Sequence, residues 1–221
     1  MSTQSAYARL AGLMYLLVLA FDIAGLAVGS TVAGSGDLAS QAHRIIDSES
    51  AYRFGLALGL AGALCTVPLA IGLFVTVRPV DPNLAVMGLV FRSAEAAIGA
   101  VAIAGSFAAL DVYRSGAFNA TQLEVLRQAA DPSAATSVSA IFFCAGSTIF
   151  FYVLSRSAYI PRLMSLWGVF ASLVYFAYWL SALVVTDYPA ALIVVASVPI
   201  LVAEVSTGLW LLIMGVRTPR P

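Results

Sequence analysis

Four charged residues stand where charge is costly. Asp22, Arg92, Glu95 and Glu204 each lie inside an apolar run of the 221-residue chain. An ionisable group at such a position must find a partner, give up its charge or border a watery cavity. Arg92 and Glu95 are three apart, so on a helix they share a face and can pair directly. Arginine keeps its proton, which leaves the three carboxyls as the adjustable members. With all four ionised, two negative charges would lack a partner in a low-dielectric region. Glu204 is expected to be the neutral acid, because Pro199, five residues earlier, should kink its helix and free a backbone carbonyl nearby. Pro68 should do the same in another run.

Two kinds of chemistry are open to such a layer. It can bind or transport a small lipophilic or amphiphilic molecule, or relay protons. Alternatively, Glu95 or Glu204, kept neutral by burial, can serve as the general acid of a membrane-embedded enzyme acting on a lipid or isoprenoid. A third reading needs no chemistry: a buried network that fixes helix register in a structural or accessory protein.

Little else in the chain points to catalysis. There is no Gly-x-Ser-x-Gly, phosphate loop or His-Glu-x-x-His motif, and the one histidine, His43, lies in a connector, so no cofactor and no metal site is expected. Serine-histidine proteolysis within a membrane would need a histidine in a span. Cys65 and Cys144 fall in apolar runs and read as small buried hydrophobes rather than a disulfide. Glu49 and Arg53, four apart with the acid first, read as an exposed helix-start pair worth tenths of a kcal/mol. Gly25 with Gly29, and Gly55 with Gly59, have the spacing that lets helices approach closely.

The elements that must position the layer follow from composition. The chain is 61% hydrophobic and 10% charged, against about 25% charged in an ordinary soluble domain. The missing charge is a missing aqueous surface. With eleven Arg and no Lys balanced by eleven Asp plus Glu, no nucleic-acid partner is expected; membrane lipids are the expected surroundings. A hydrocarbon core about 30 Å thick takes about 20 helical residues. Six runs fit: Ala8 to Gly29, Ala51 to Val77, Leu84 to Leu110, Pro132 to Leu154, Leu163 to Val185, and Ala190 to Val216. The expected fold is therefore an all-α polytopic membrane helix bundle, a single six-helix domain over residues 1–221. Its small size is compatible with a homo-oligomer. Arg9 before Leu10 imitates a signal peptide, but the run is long and interrupted by Asp22. No three-plus-three repeat is visible between the halves.

The breaks are polar or contain proline: 78–83, 155–162 and Thr186-Asp187-Tyr188-Pro189. Two longer connectors carry helical signals of their own. After Asp37, a good N-cap, Leu38, Ala42, Ile45 and Ile46 recur at helical spacing, which predicts a short interfacial helix in loop one. In loop three, Thr121 and Glu124 have capping-box spacing, and Asp131-Pro132 supplies a cap for the next span. Arginine counts place both termini in the cytoplasm, with Arg9, Arg78, Arg156, Arg162, Arg217 and Arg220 inside against Arg44, Arg114 and Arg127 outside and Arg53 at the outer edge. Trp167 and Trp210 then fall near the inner interface. From the cytoplasmic helix ends, Arg92 lies at about 12 Å, Glu95 and Glu204 at about 16 Å and Asp22 at about 21 Å, one central layer.

Several stretches together carry a family resemblance along nearly the whole chain. They are residues 7–15 (YARLAGLMY), 49–55 (ESAYRFG), 91–96 (FRSAEA), 160–168 (IPRLMSLWG) and 204–211 (EVSTGLWL). In their order and spacing the chain resembles an uncharacterised bacterial integral membrane family, domain of unknown function 4386. The resemblance implies a six-helix fold in the bacterial cytoplasmic membrane and no settled activity, substrate or cofactor. It places Arg92, Glu95 and Glu204 inside family-like motifs; Asp22 lies outside them.

Overall fold

A computed structural model describes residues 3–115, 122, 133–185 and 191–216. The described residues hold seven helices and no strand: α1 (Thr3–Ala33), α2 (Leu38–Asp47), α3 (Glu49–Val77), α4 (Pro82–Ser115), α5 (Ser133–Ser155), α6 (Arg162–Val184) and α7 (Ala191–Met214). All but α2 are long and apolar enough to cross a membrane. The six runs read from sequence each correspond to one of these helices, with ends that shift by a few residues. The chain is an all-α polytopic membrane helix bundle. The helical signal at Thr121 and Glu124, the Asp131-Pro132 cap, the break at 186–189, and Arg127, Arg217 and Arg220 lie outside the described residues.

The outward faces of the helices are greasy. Leu26, Val101, Leu163, Val184 and Val195 are exposed, a surface that would aggregate in water and suits lipid. Polar side chains turn inward instead: Thr66, Thr76, Ser147, Ser165, Ser172 and Thr207 are buried. Most buried hydroxyls donate to a carbonyl three or four residues back on their own helix, as Thr76 does to Gly72 at 2.7 Å.

The six long helices close into a ring. Each packs on the next in chain order, and α7 returns to α1. Close approach depends on glycine at several seams. A Cβ on Gly25 of α1 would meet the backbone oxygen of Gly55 at 2.8 Å, so the two glycine pairs read from sequence do face each other across the α1–α3 seam. At the closing seam, Gly12 of α1 lies against the backbone of Gly208 and Leu212 on α7. The adjacent Phe150 and Phe151 of α5 point to opposite neighbours, Phe150 onto Gly88 of α4 and Phe151 onto Gly168 of α6.

The two ends of the ring are built differently. At the end where α1 begins and α7 finishes, a continuous apolar core runs from Ala8, Ala11 and Tyr15 through Leu69, Leu73, Phe150, Phe151 and Leu211. Asp81 and Arg156, 3.1 Å apart, tie the α3–α4 turn to the segment after α5 at that end. The opposite end carries α2, the short amphipathic helix expected in loop one. Asp37 caps it by accepting from the Ser40 backbone N–H at 2.8 Å, and hydrogen bonding from Ser40, side chain first and backbone second, holds the exposed Asp37 carboxyl below its ordinary range. Ala42 and Ile45 are buried against the bundle while His43 is exposed. Arg44 reaches back to the end of α1, donating to the carbonyls of Ala33 at 2.8 Å and Ser35 at 2.6 Å, which otherwise have no helical partner. At 34 residues α4 is about 51 Å long, so its last turns pass beyond a 30 Å core. There Arg114 meets Glu49 at 3.4 Å. Glu49 also takes the expected i,i+4 partner Arg53 at 2.6 Å. One carboxylate thus joins the start of α3 to the end of α4.

Candidate functional site

At mid-height the ring interior changes from apolar to charged. Arg92 of α4 is almost fully enclosed, with 1% of its side chain exposed. Its Nη1 lies 3.0 Å from Glu95 Oε2 one turn along the same helix, the pair expected from spacing. The same nitrogen donates to Ser147 Oγ of α5 at 3.3 Å. The guanidinium also lies over the Phe143 ring, 4.7 Å from its centre, which adds a cation–π contact. Gly146 makes this possible: a Cβ there would meet Arg92 Cγ at 2.8 Å. The arginine is thus clamped between its own helix and α5.

Glu204 enters the layer from α7. It is 6% exposed and within electrostatic reach of Arg92 and Asp22. Its Oε1 has no hydrogen-bond partner among the described residues. Such an orphaned oxygen is tolerable on a neutral acid and costly on a carboxylate. The helix around it runs unbroken through Pro199. The Pro199 carbonyl accepts from Trp167 Nε1 of α6 at 3.1 Å. Tyr15 of α1, buried in the core just beneath, feels Glu204, Arg92 and Glu95 electrostatically.

Asp22 enters from α1 and behaves differently. Its carboxylate leans into a notch on α3 at Gly62, where a Cβ would collide with Asp22 Oδ1. No described cation stands at ion-pair distance from it; Arg92 acts on it only at longer range. Asp22 is exposed and lines a cavity of about 240 Å³ walled by α1, α3, α4 and α5. Glu95, Thr66 and Ser139 share that wall, which also takes in Gly99 and Ile103 of α4. Glu204 is not in the wall. The structure therefore brings Arg92, Glu95 and Glu204 into one buried cluster, and Asp22 and Glu95 into one cavity, with Glu95 common to both.

Sequence reading did not single out Ser147, Phe143, Gly62, Thr66 or Ser139. The glycines offered the better signal, since a glycine facing an intramembrane charge makes room for it. Among the described residues no group of three or more His, Cys, Asp and Glu side chains could hold a metal ion. Cys65 and Cys144 are both free thiols.

The fold and this layer together define an integral membrane protein: a ring of six spans around a buried ionic cluster. The chain belongs to the family described as "Domain of unknown function (DUF4386)", whose sequence model matches residues 10–215 and so takes in Asp22 with the other three. No curated protein and no solved structure matches it.

Proposed function

We propose that this protein binds a small amphiphilic molecule, for storage or transport, in the cavity bounded by Asp22 and Glu95. The observation that carries this reading is the coincidence of free space with charge: the mid-bundle layer borders a cavity on one side and a sealed apolar core on the other. A purely structural network would be expected to exclude space, because voids beside buried charge cost contacts and add nothing to register. The cavity falls below the usual 300–1,000 Å³ of drug-sized sites, so the occupant is a head group or a short molecule. The whole chain acts as one six-helix unit in this reading. The general-acid alternative gains less support, since Glu204 lies outside the cavity wall.

Gly99 offers a direct test. It lines the cavity, and among the described residues a Cβ on it would meet only Ser139 Oγ, at 3.5 Å. Gly99→Leu should fill the space without moving backbone and should raise helix propensity by up to about 1 kcal/mol. A small molecule that co-purifies with the wild type, seen by native mass spectrometry and in the lipid extract, should be missing from Gly99→Leu at a melting temperature equal to or above that of the wild type. Equal occupancy in the two proteins would remove the cavity from consideration.

The arginine distribution supports a cytoplasmic position for both termini, which would turn the α2 end and the cavity toward the outside. A reporter active only outside the cytoplasm should stay silent when fused to either terminus and become active when inserted between Gly34 and Asp37. The reverse pattern would invert the orientation.

A further inference from the structure

The wall of the cavity presents acceptors. Asp22 and Glu95 contribute carboxyl oxygens. The Thr66 hydroxyl donates its hydrogen to the backbone oxygen of Gly62 at 3.2 Å, and the Ser139 hydroxyl donates to the backbone oxygen of Glu95 at 3.0 Å. Each hydroxyl has a single hydrogen and two lone pairs, so with the hydrogen engaged both can only accept from an occupant. Charge points the same way. Glu95 is neutralised by Arg92 at 3.0 Å, whereas Asp22, held in its notch at Gly62, has no cation at that range among the described residues.

Resting on the binding role above, we infer that the cavity takes the protonated head group of a small primary amine, with Asp22 as its counter-ion and Thr66 and Ser139 as hydrogen-bond acceptors. An R–NH3⁺ group brings one positive charge and three donors, matching the one unpaired carboxylate and the neighbouring oxygens. A quaternary ammonium has no N–H to give and is ordinarily held by aromatic faces, and among the described residues no aromatic side chain lines this cavity. A bare metal ion would leave most of the space empty, while Ile103, Ala63 and Ala96 in the wall suit a short alkyl chain. An alcohol gains less because it brings no charge, and a carboxylate would face like charge.

The test uses the full chain in lipid nanodiscs and four probes of equal chain length: hexylammonium, hexyltrimethylammonium, hexanol and hexanoate. Hexylammonium should bind at least about tenfold tighter than the other three, the worth of a hydrogen bond to a charged group. Asp22→Asn should remove that advantage and leave hexanol unaffected. Ser139→Ala, which keeps the carboxylate, should weaken hexylammonium severalfold, and melting temperatures would verify that both variants fold. Hexanol or hexanoate binding as well as the amine, with the site blocked by Gly99→Leu, would overturn the amine assignment and leave the binding role standing. Binding of sodium in preference to hexylammonium would overturn it in favour of an inorganic cation. If no probe binds the wild type, the amine assignment falls; if the wild type also carries no co-purified molecule, the binding role falls with it.

Discussion

Arg92→Met should cost about 3–5 kcal/mol of stability, the usual penalty for removing one partner of a buried pair. Methionine matches much of the side-chain volume, so packing against Gly146 and Phe143 survives and the loss isolates the charge. Glu95 then has no cation at 3.0 Å, and Glu204 and Asp22 lose the only positive charge that the described layer contains. Unfolding measured in mixed micelles should show a midpoint drop for Arg92→Met that is smaller for Arg92→Lys, since an ammonium restores the charge but not the planar group that lies over Phe143. Combining Arg92→Met with Glu95→Gln should cost less than the two single changes added together, because the second removes a charge that the first has stranded. An Arg92→Met protein within about 0.5 kcal/mol of the wild type, the range of ordinary surface substitutions, would show that Arg92 does not hold the layer together.

Much of this architecture could be read from the chain because lipid enforces simple rules. Six apolar runs had to be helices, since no other open segment satisfies its backbone in hydrocarbon, and the structure places a helix on each. Asp37 was legible as a cap because its side chain acts within three residues of itself. Arg92 and Glu95 were legible as a pair for the same local reason. What lay beyond reach was contact between distant segments. Ser147 is 55 residues from Arg92, and one serine among many in the spans carries no mark of its partner. Thr66 and Ser139 are equally anonymous; only their orientation makes them acceptors toward the cavity. The difference between the sealed and open halves was also hidden, because both have similar composition. It arises from where side chains as large as Phe150 and Phe151 meet glycine notches, which only the ring geometry reveals. The layer thus sits at a boundary that sequence alone does not show.

Closure of the ring itself rests on Gly12. This glycine faces not a side chain but the backbone of α7: a Cβ would come within 2.6 Å of the Gly208 carbonyl oxygen and closer still to the Leu212 amide nitrogen. Backbone atoms in a packed helix cannot rotate away, so even one methyl group must push α1 and α7 apart, and the cost should reach the upper part of the 1–3 kcal/mol seen for overpacking. Gly105 on α4 is the internal control, because no described atom lies within 4 Å of its would-be Cβ. There the same substitution only restricts the unfolded chain and improves helix propensity, a gain of about 0.5–1 kcal/mol. Gly12→Ala should therefore lower the unfolding midpoint while Gly105→Ala raises it, two opposite signs from one chemical change. The displacement should also reach the site, since Tyr15 and Asp22 ride on α1 and Glu204 on α7; occupancy of the cavity should fall in Gly12→Ala at temperatures where the protein remains folded. Two shifts of the same sign would mean that the α1–α7 seam is loose, and the ring would have to be redrawn as an open arc.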